Sequence, residues 1–266
     1  MLPVQYVFHF SNKMYQKSLQ KRLREFKQAE DHYAIYRYNC AESDLETISK
    51  EVAAVYPLIN HLYRFKPQGK IQFAVYARKA DLQNIMHLDT ENTPMGIYWL
   101  GQIHLLAPAA WIAGAEEERN CAFRLLGPVA HEYTHYVIDY QTRGNYPRWL
   151  SEGLAQYTEQ ALAKMPPFSS ECLLREDYYT LDELEYCFDF LRDQPLAYLE
   201  ALLAGEILIE HYSFGYVRKI LQELKTGKGL EEILYCEKLN YPTLNLLLRE
   251  KLAQLRKNFA QSLVET

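Results

Sequence analysis

The chain has no apolar run approaching the roughly 18 residues that a bilayer-spanning helix needs. Its first residues, MLPVQYVFHFSNK, lack the positive stretch and apolar core of a secretory signal. It has no basic block either. With 29 Lys and Arg against 34 Asp and Glu the net charge is −5, which argues against nucleic acid as a partner. Five cysteines (Cys40, Cys121, Cys172, Cys187 and Cys236) are dispersed without a C-x-x-C pair. That excludes a disulfide framework or a cysteine zinc site and predicts unbridged, mostly buried thiols. No repeat or low-complexity stretch occurs. Taken as it stands, the sequence predicts a soluble, cytoplasmic protein without a membrane segment. The alternative is an extracytoplasmic, membrane-anchored one whose N-terminal anchor has been trimmed.

Against these absences stands one dense stretch, residues 127–157, GPVAHEYTHYVIDYQTRGNYPRWLSEGLAQY. It contains HEYTH, an H-E-x-x-H pattern formed by His131, Glu132 and His135. Residues four apart on an α-helix share a face, so both imidazoles can aim at one point. That is what a tetrahedral zinc needs of its first two ligands. Glu132 lies about 100° round the helix. From there it can reach a bound water as general base without being a ligand. Val129, Tyr133, Val137 and Tyr140 fall on the opposite, core-facing side. Gly127-Pro128 suits a helix start, and Thr142 to Asn145 a stop and turn. Pro147 opens a second helix carrying Glu152, which a short turn can bring to the metal as third ligand. Gln156, one turn on, can hydrogen-bond a ligand from behind. Asp139, one turn after His135, can orient a ligand or cap a neighbour, and reads as structural.

HEYTH followed by WLSEGLAQY resembles the gluzincin metallopeptidases, the clan of thermolysin-like proteases and zinc aminopeptidases, and in particular the bacterial peptidase MA-like domains. The likeness extends over about residues 32–258 and is sharp over 127–157. It implies one Zn²⁺ held by His131, His135 and Glu152, catalytic Glu132, and a peptide or protein substrate. Endopeptidase action is expected, since TPMGIYW (residues 93–99) is not the G-x-M-E-N signature of the aminopeptidases. Gln156 departs from the acidic residue of many relatives. Tyr198 resembles a tyrosine that stabilises the oxyanion in MA-like domains, with His211 and Tyr212 as rivals. Residues 97–105 resemble the edge strand that pairs with extended substrate. An ordinary interior strand is the other reading. The resemblance implies a zincin-like (thermolysin-like) α+β fold. An inactive zinc-bound domain that holds a peptide or protein is the alternative function, and a metal-free helical scaffold a third.

The 266 residues, 48% hydrophobic, suffice for one or two domains. Residues 1–31 read as a short strand, Val4–Phe10, followed by a basic helix through KQAE. That helix is a solvated face or a juxtamembrane element. Residues 32–126 read as a mixed α/β part. Strands are predicted at HYAIYRY and KIQFAVYA, and a helix over 43–63 capped by Ser43. A strand or hairpin over 95–108 precedes a helix over EEERNCAFRLL. His104 and His87 read as satisfied histidines rather than ligands. Residues 127–266 read as a helical part: a break at PPFSSEC (166–172), a capping box at Thr180 and Glu183, a buried helix over 195–212, and three amphipathic helices after it.

Overall fold

Two apolar-rich runs buried on both faces, IQFAVY (71–76) and QIHLL (102–106), form the heart of a mixed sheet. The computed structural model describes residues 4–88, 93–163, 170–174, 177–236 and 239–264. The chain divides into two units, Met1–Val137 with Leu162–Met165, and Ile138–Ala161 with Pro166–Thr266.

The first unit begins with α1 (Val4–Arg22), then β1 (Lys27–Glu30), β2 (Ala34–Tyr38), α2 (Glu42–Tyr63), β3 (Ile71–Tyr76), α3 (Lys79–Met86), β4 (Gly96–Trp99), β5 (Gln102–Leu106) and α4 (Glu116–Leu126). The sheet order is β1-β2-β3-β5-β4. Neighbours β2, β3 and β5 are parallel, and each outer strand is antiparallel to the one it flanks. The parallel pair β2–β3 requires a crossover, which α2 supplies. β3 and β5 are buried almost throughout. The stretch 97–105 thus divides: β4 is an edge strand, whereas β5 is interior. Their two-residue turn places Leu100 at φ 47° and Gly101 at φ 78°, the doubly left-handed geometry that matches strand twist.

Three local expectations are corrected. Val4–Phe10 is helical, not a strand. Buried Phe8, Asn12 and Leu19 recur at helical spacing along α1, continued by Leu23 in the turn that follows, and Leu19 and Leu23 pack on Ala74, Tyr76, Leu82 and Leu106. The basic helix stops at Arg22, and KQAE becomes β1 because β2 offers it a ladder. Its exposed Lys27 and Glu30 suit an edge. Helix α2 is capped at Ala41 without a side-chain bond, so Ser43 is not its cap.

His104 has a partner within the fold for both ring nitrogens, and His87 for one. His104 is buried in β5, with Nδ1 2.7 Å from the Tyr76 hydroxyl and Nε2 3.0 Å from that of Tyr15. Burial holds its pKa down to about 3, so it is neutral. His87 ends α3, and its Nε2 lies 3.2 Å from the Arg22 guanidinium.

Helix α5 (Val129–Thr142) continues from the first unit into the second, which holds most of α6 (Arg148–Ala163), then α7 (Leu181–Cys187), α8 (Gln194–Tyr212), α9 (Phe214–Leu224), α10 (Leu230–Cys236) and α11 (Tyr241–Val264). The capping box forms as expected. Thr180 Oγ1 accepts from the Glu183 N–H at 3.3 Å, and the Glu183 carboxylate accepts from the Thr180 N–H at 2.8 Å. Helix α8 is buried along most of its length. The predicted break begins at residues 166–169, which lie outside the described residues, and continues as a short 3₁₀ turn, Ser170–Leu174. Among the described residues the five cysteines form no disulfide. Cys121, Cys187 and Cys236 are exposed, which corrects the expectation of mostly buried thiols. No helix among the described residues is long and apolar enough to cross a membrane.

Candidate metal centre

Helix α5 is anchored by its aromatic residues. Tyr133 donates its hydroxyl to Asn60 of α2 at 2.8 Å and stacks between Tyr56 and Tyr136, with ring centroids 5.5 and 5.7 Å away. Val129, Tyr133 and Val137 are buried as the helical spacing predicts. The motif side is covered as well: Glu132 and His135 are buried and His131 is half-buried. The helix is therefore not the one-sided amphipathic element of the sequence reading. Burial of polar side chains on both sides is costly unless they find partners.

The stop after α5 follows the local chemistry. Arg143 takes the left-handed conformation at φ 59°, and the Gly144 N–H returns to the Asp139 carbonyl at 3.1 Å, closing a Schellman turn. Asp139 is structural in a second way, since its carboxylate accepts from the Tyr146 hydroxyl. Asn145 then donates to the Leu224 and Lys228 carbonyls at 2.6 and 2.9 Å, which pins the turn before α6 begins.

Glu152 is buried on α6. One turn earlier, Arg148 places Nη2 3.0 Å from Glu152 Oε1 and Nε 3.5 Å from Asp189. The same guanidinium hydrogen-bonds the Tyr198 hydroxyl. Burial, then the nearby Glu152 charge, pushes the Tyr198 phenol up to about 12, with Arg148 opposing. Tyr198 therefore joins the carboxylate–guanidinium group. His211 and Tyr212 stand 13 and 14 residues further along α8, roughly 20 Å by helical rise. Gln156 adds a tie: its amide donates to the main-chain carbonyls of Tyr198 at 2.8 Å and Glu152 at 3.3 Å, which joins α6 to α8.

That tie is possible because Gly153 and Gly205 let the two helices touch. A Cβ on Gly153 would sit 2.1 Å from the Ala201 carbonyl oxygen, and one on Gly205 3.3 Å from Gly153 carbon. A side chain next to Glu152 would force α8 away and take Tyr198 with it.

His131, His135 and Glu152 each present one ligand atom, and these atoms lie within 4.8 Å of one another. Among the described residues they are the one group of three or more potential ligands so assembled. Three points no more than 4.8 Å apart lie within about 2.8 Å of a common centre (4.8 divided by √3). Zinc bonds to imidazole and carboxylate are about 2.0–2.2 Å. Small side-chain rotations close that gap. Two imidazoles and one carboxylate are a donor set that suits zinc, with a fourth position left for a small molecule. The ring centroids of His131 and His135 are 4.7 Å apart at 77°, so the imidazoles are not stacked against each other.

Glu132 is not in this group. Its Oε2 accepts the Tyr98 main-chain N–H at 2.6 Å, from edge strand β4. Two features go beyond what the sequence predicts for the site: the Tyr98 contact and the role of Arg148. The i, i+4 relation of Arg148 to Glu152 was available as a pattern. The main-chain contact of a distant strand was not. A scan against protein-family models finds no match, and a search of curated proteins finds none.

Proposed function

We propose that the chain is a zinc-dependent peptidase of the gluzincin type, built on a zincin-like (thermolysin-like) version of its α+β fold. The convergence of His131, His135 and Glu152, with Glu132 one residue from the first ligand, carries this reading. When bound, zinc supplies a Lewis acid that polarises a carbonyl and lowers the pKa of a water toward about 7. The chain's own residues do the rest. Glu132 takes the proton from the attacking water and returns it to the leaving amine, so no covalent enzyme intermediate forms. Tyr198 offers its hydroxyl hydrogen to the oxyanion that develops on the substrate, while its oxygen accepts from Arg148. The substrate is a peptide or protein segment in extended form, for which β4 is a sheet edge.

The test uses zinc-loaded wild type and Glu132→Gln on a diverse peptide pool, with cleavage sites read by mass spectrometry. Wild type is expected to cleave, and the variant to retain zinc while losing at least about 100-fold in rate, the scale of general-base catalysis. Equal cleavage by both removes Glu132 from the mechanism. Stoichiometric zinc and peptide binding without turnover by wild type replaces the peptidase with a zinc-bound peptide- or protein-binding domain. No zinc by elemental analysis sinks both.

A further inference from the structure

We infer that strand β4 is the positioning device of the general base, and that Gly96 is the residue that makes it work. This rests on the proposed role of Glu132 as base.

In the antiparallel hairpin the Leu106 N–H bonds the Met95 carbonyl at 2.9 Å, and Gly96 faces Leu105. Alternation then turns the main-chain groups of Met95, Ile97 and Trp99 toward β5 and those of Gly96 and Tyr98 outward from the sheet. The outward Tyr98 N–H meets Glu132 Oε2 at 2.6 Å, a short charge-assisted bond. Side chains two apart share a face. On that face the Tyr98 ring meets Tyr136 of α5 edge-on, with centroids 6.0 Å apart. Gly96, on the same face, meets the start of α5. A Cβ there would lie 2.8 Å from Glu132 Cγ, 2.8 Å from Pro128 Cβ and 2.9 Å from Pro128 Cγ. The Pro128 ring has no rotamer to yield. Any larger residue must therefore displace either the strand or the Glu132 side chain, and both moves break the Tyr98 bond. Glycine is used at position 96 for close approach, not for an unusual dihedral. The strand thereby fixes one oxygen of the carboxylate, Oε2, and with it the plane of the group.

Gly96→Ala tests this, with Gly69→Ala, where a Cβ meets nothing within 4 Å, as control. In the zinc-loaded protein Gly96→Ala is expected to lower kcat by about 10–100-fold, the scale of a misplaced catalytic group. Zinc stoichiometry is expected to be unchanged, since none of His131, His135 and Glu152 is altered. A folded, zinc-loaded Gly96→Ala with wild-type kcat overturns the inference. Should that variant not fold, replacing Tyr98 by its α-hydroxy acid removes the N–H without adding bulk, and unchanged kcat there is equally fatal. One readout does not depend on activity. The Tyr98 amide proton is expected far downfield by NMR, moving upfield in Glu132→Gln and in Gly96→Ala. An amide indifferent to Glu132→Gln refutes the contact even if the chain cleaves no peptide. An amide that responds in a chain that cleaves nothing leaves the strand contact standing and removes the peptidase reading.

Discussion

Gly153→Ala is the sharpest test of how the second unit is built. The added Cβ would stand 2.1 Å from the Ala201 carbonyl oxygen and 2.8 Å from its carbon. Real Cβ–oxygen contacts are at least 3.0 Å, so α6 and α8 must separate by about 1 Å or more over that contact. Both partners are main chain in the middle of helices, and no side-chain rotation relieves the clash. Overpacking of this kind costs about 1–3 kcal/mol, occasionally more. Alanine's higher helix propensity returns roughly 0.5–1 kcal/mol. With the clash at the upper end or beyond, the net destabilisation is about 2–3 kcal/mol, which for a chain of this size lowers Tm by roughly 4–12 °C. Gly205→Ala is the internal comparison. Its Cβ would meet Gly153 main-chain atoms at 3.3–3.6 Å, a contact that a few tenths of an ångström relieves. Clash and propensity then nearly cancel, and Tm is expected within about 2 °C of wild type. Thermal unfolding followed by circular dichroism, with urea midpoints as a check, measures both. A Gly153→Ala chain melting at or above wild type would show that the helices do not cross where the glycines face each other.

Two further outcomes follow from charged groups. Arg148 lies 3.0 Å from Glu152 Oε1, so Arg148→Met is expected to leave the ligand unsupported and weaken zinc binding about 10–100-fold in competition with a chromophoric chelator. Tighter binding would mean that the guanidinium competes with the metal for the carboxylate. Glu200 is fully buried on α8, where its oxygens accept the Tyr179 N–H at 2.9 and 3.1 Å, and burial pushes its carboxyl up to about 8 from 4.5. The folded chain therefore keeps a proton that the unfolded chain releases. Its stabilising contribution is complete below about pH 4.5 and lost as pH rises toward 8, a change of order a few kcal/mol. Glu200→Gln is expected to flatten the fall in Tm across that window, and an unchanged pH slope contradicts the assignment.

Much of the candidate site was legible because its instructions are local. The i, i+4 histidines share a face by helical geometry alone. The T-x-x-E box closes the first turn of α7 with atoms three residues apart. The doubtful stretches were those whose conformation depends on a distant partner. KQAE has little strand propensity and becomes β1 because β2 lies alongside. VQYVFHF has strand composition and becomes helix as part of an element that buries Phe8, Asn12 and Leu19. The Gln156 amide finds the Tyr198 carbonyl, 42 residues on, a partner that no local pattern announces.

By itself the sequence determined which residues the proposed chemistry would use: two imidazoles and a carboxylate on one helix, a second carboxylate on the next, and a turn between. Periodicity and capping act over a few residues, so they can be read without knowing the fold. The tertiary structure decided how those groups are held. The Tyr98 N–H on Glu132, the Arg148 pairing on Glu152 and the glycines at 96, 153 and 205 act through close approach of backbones and side chains. A glycine in a sequence is only an absent side chain, and what occupies the space depends on the element packed against it.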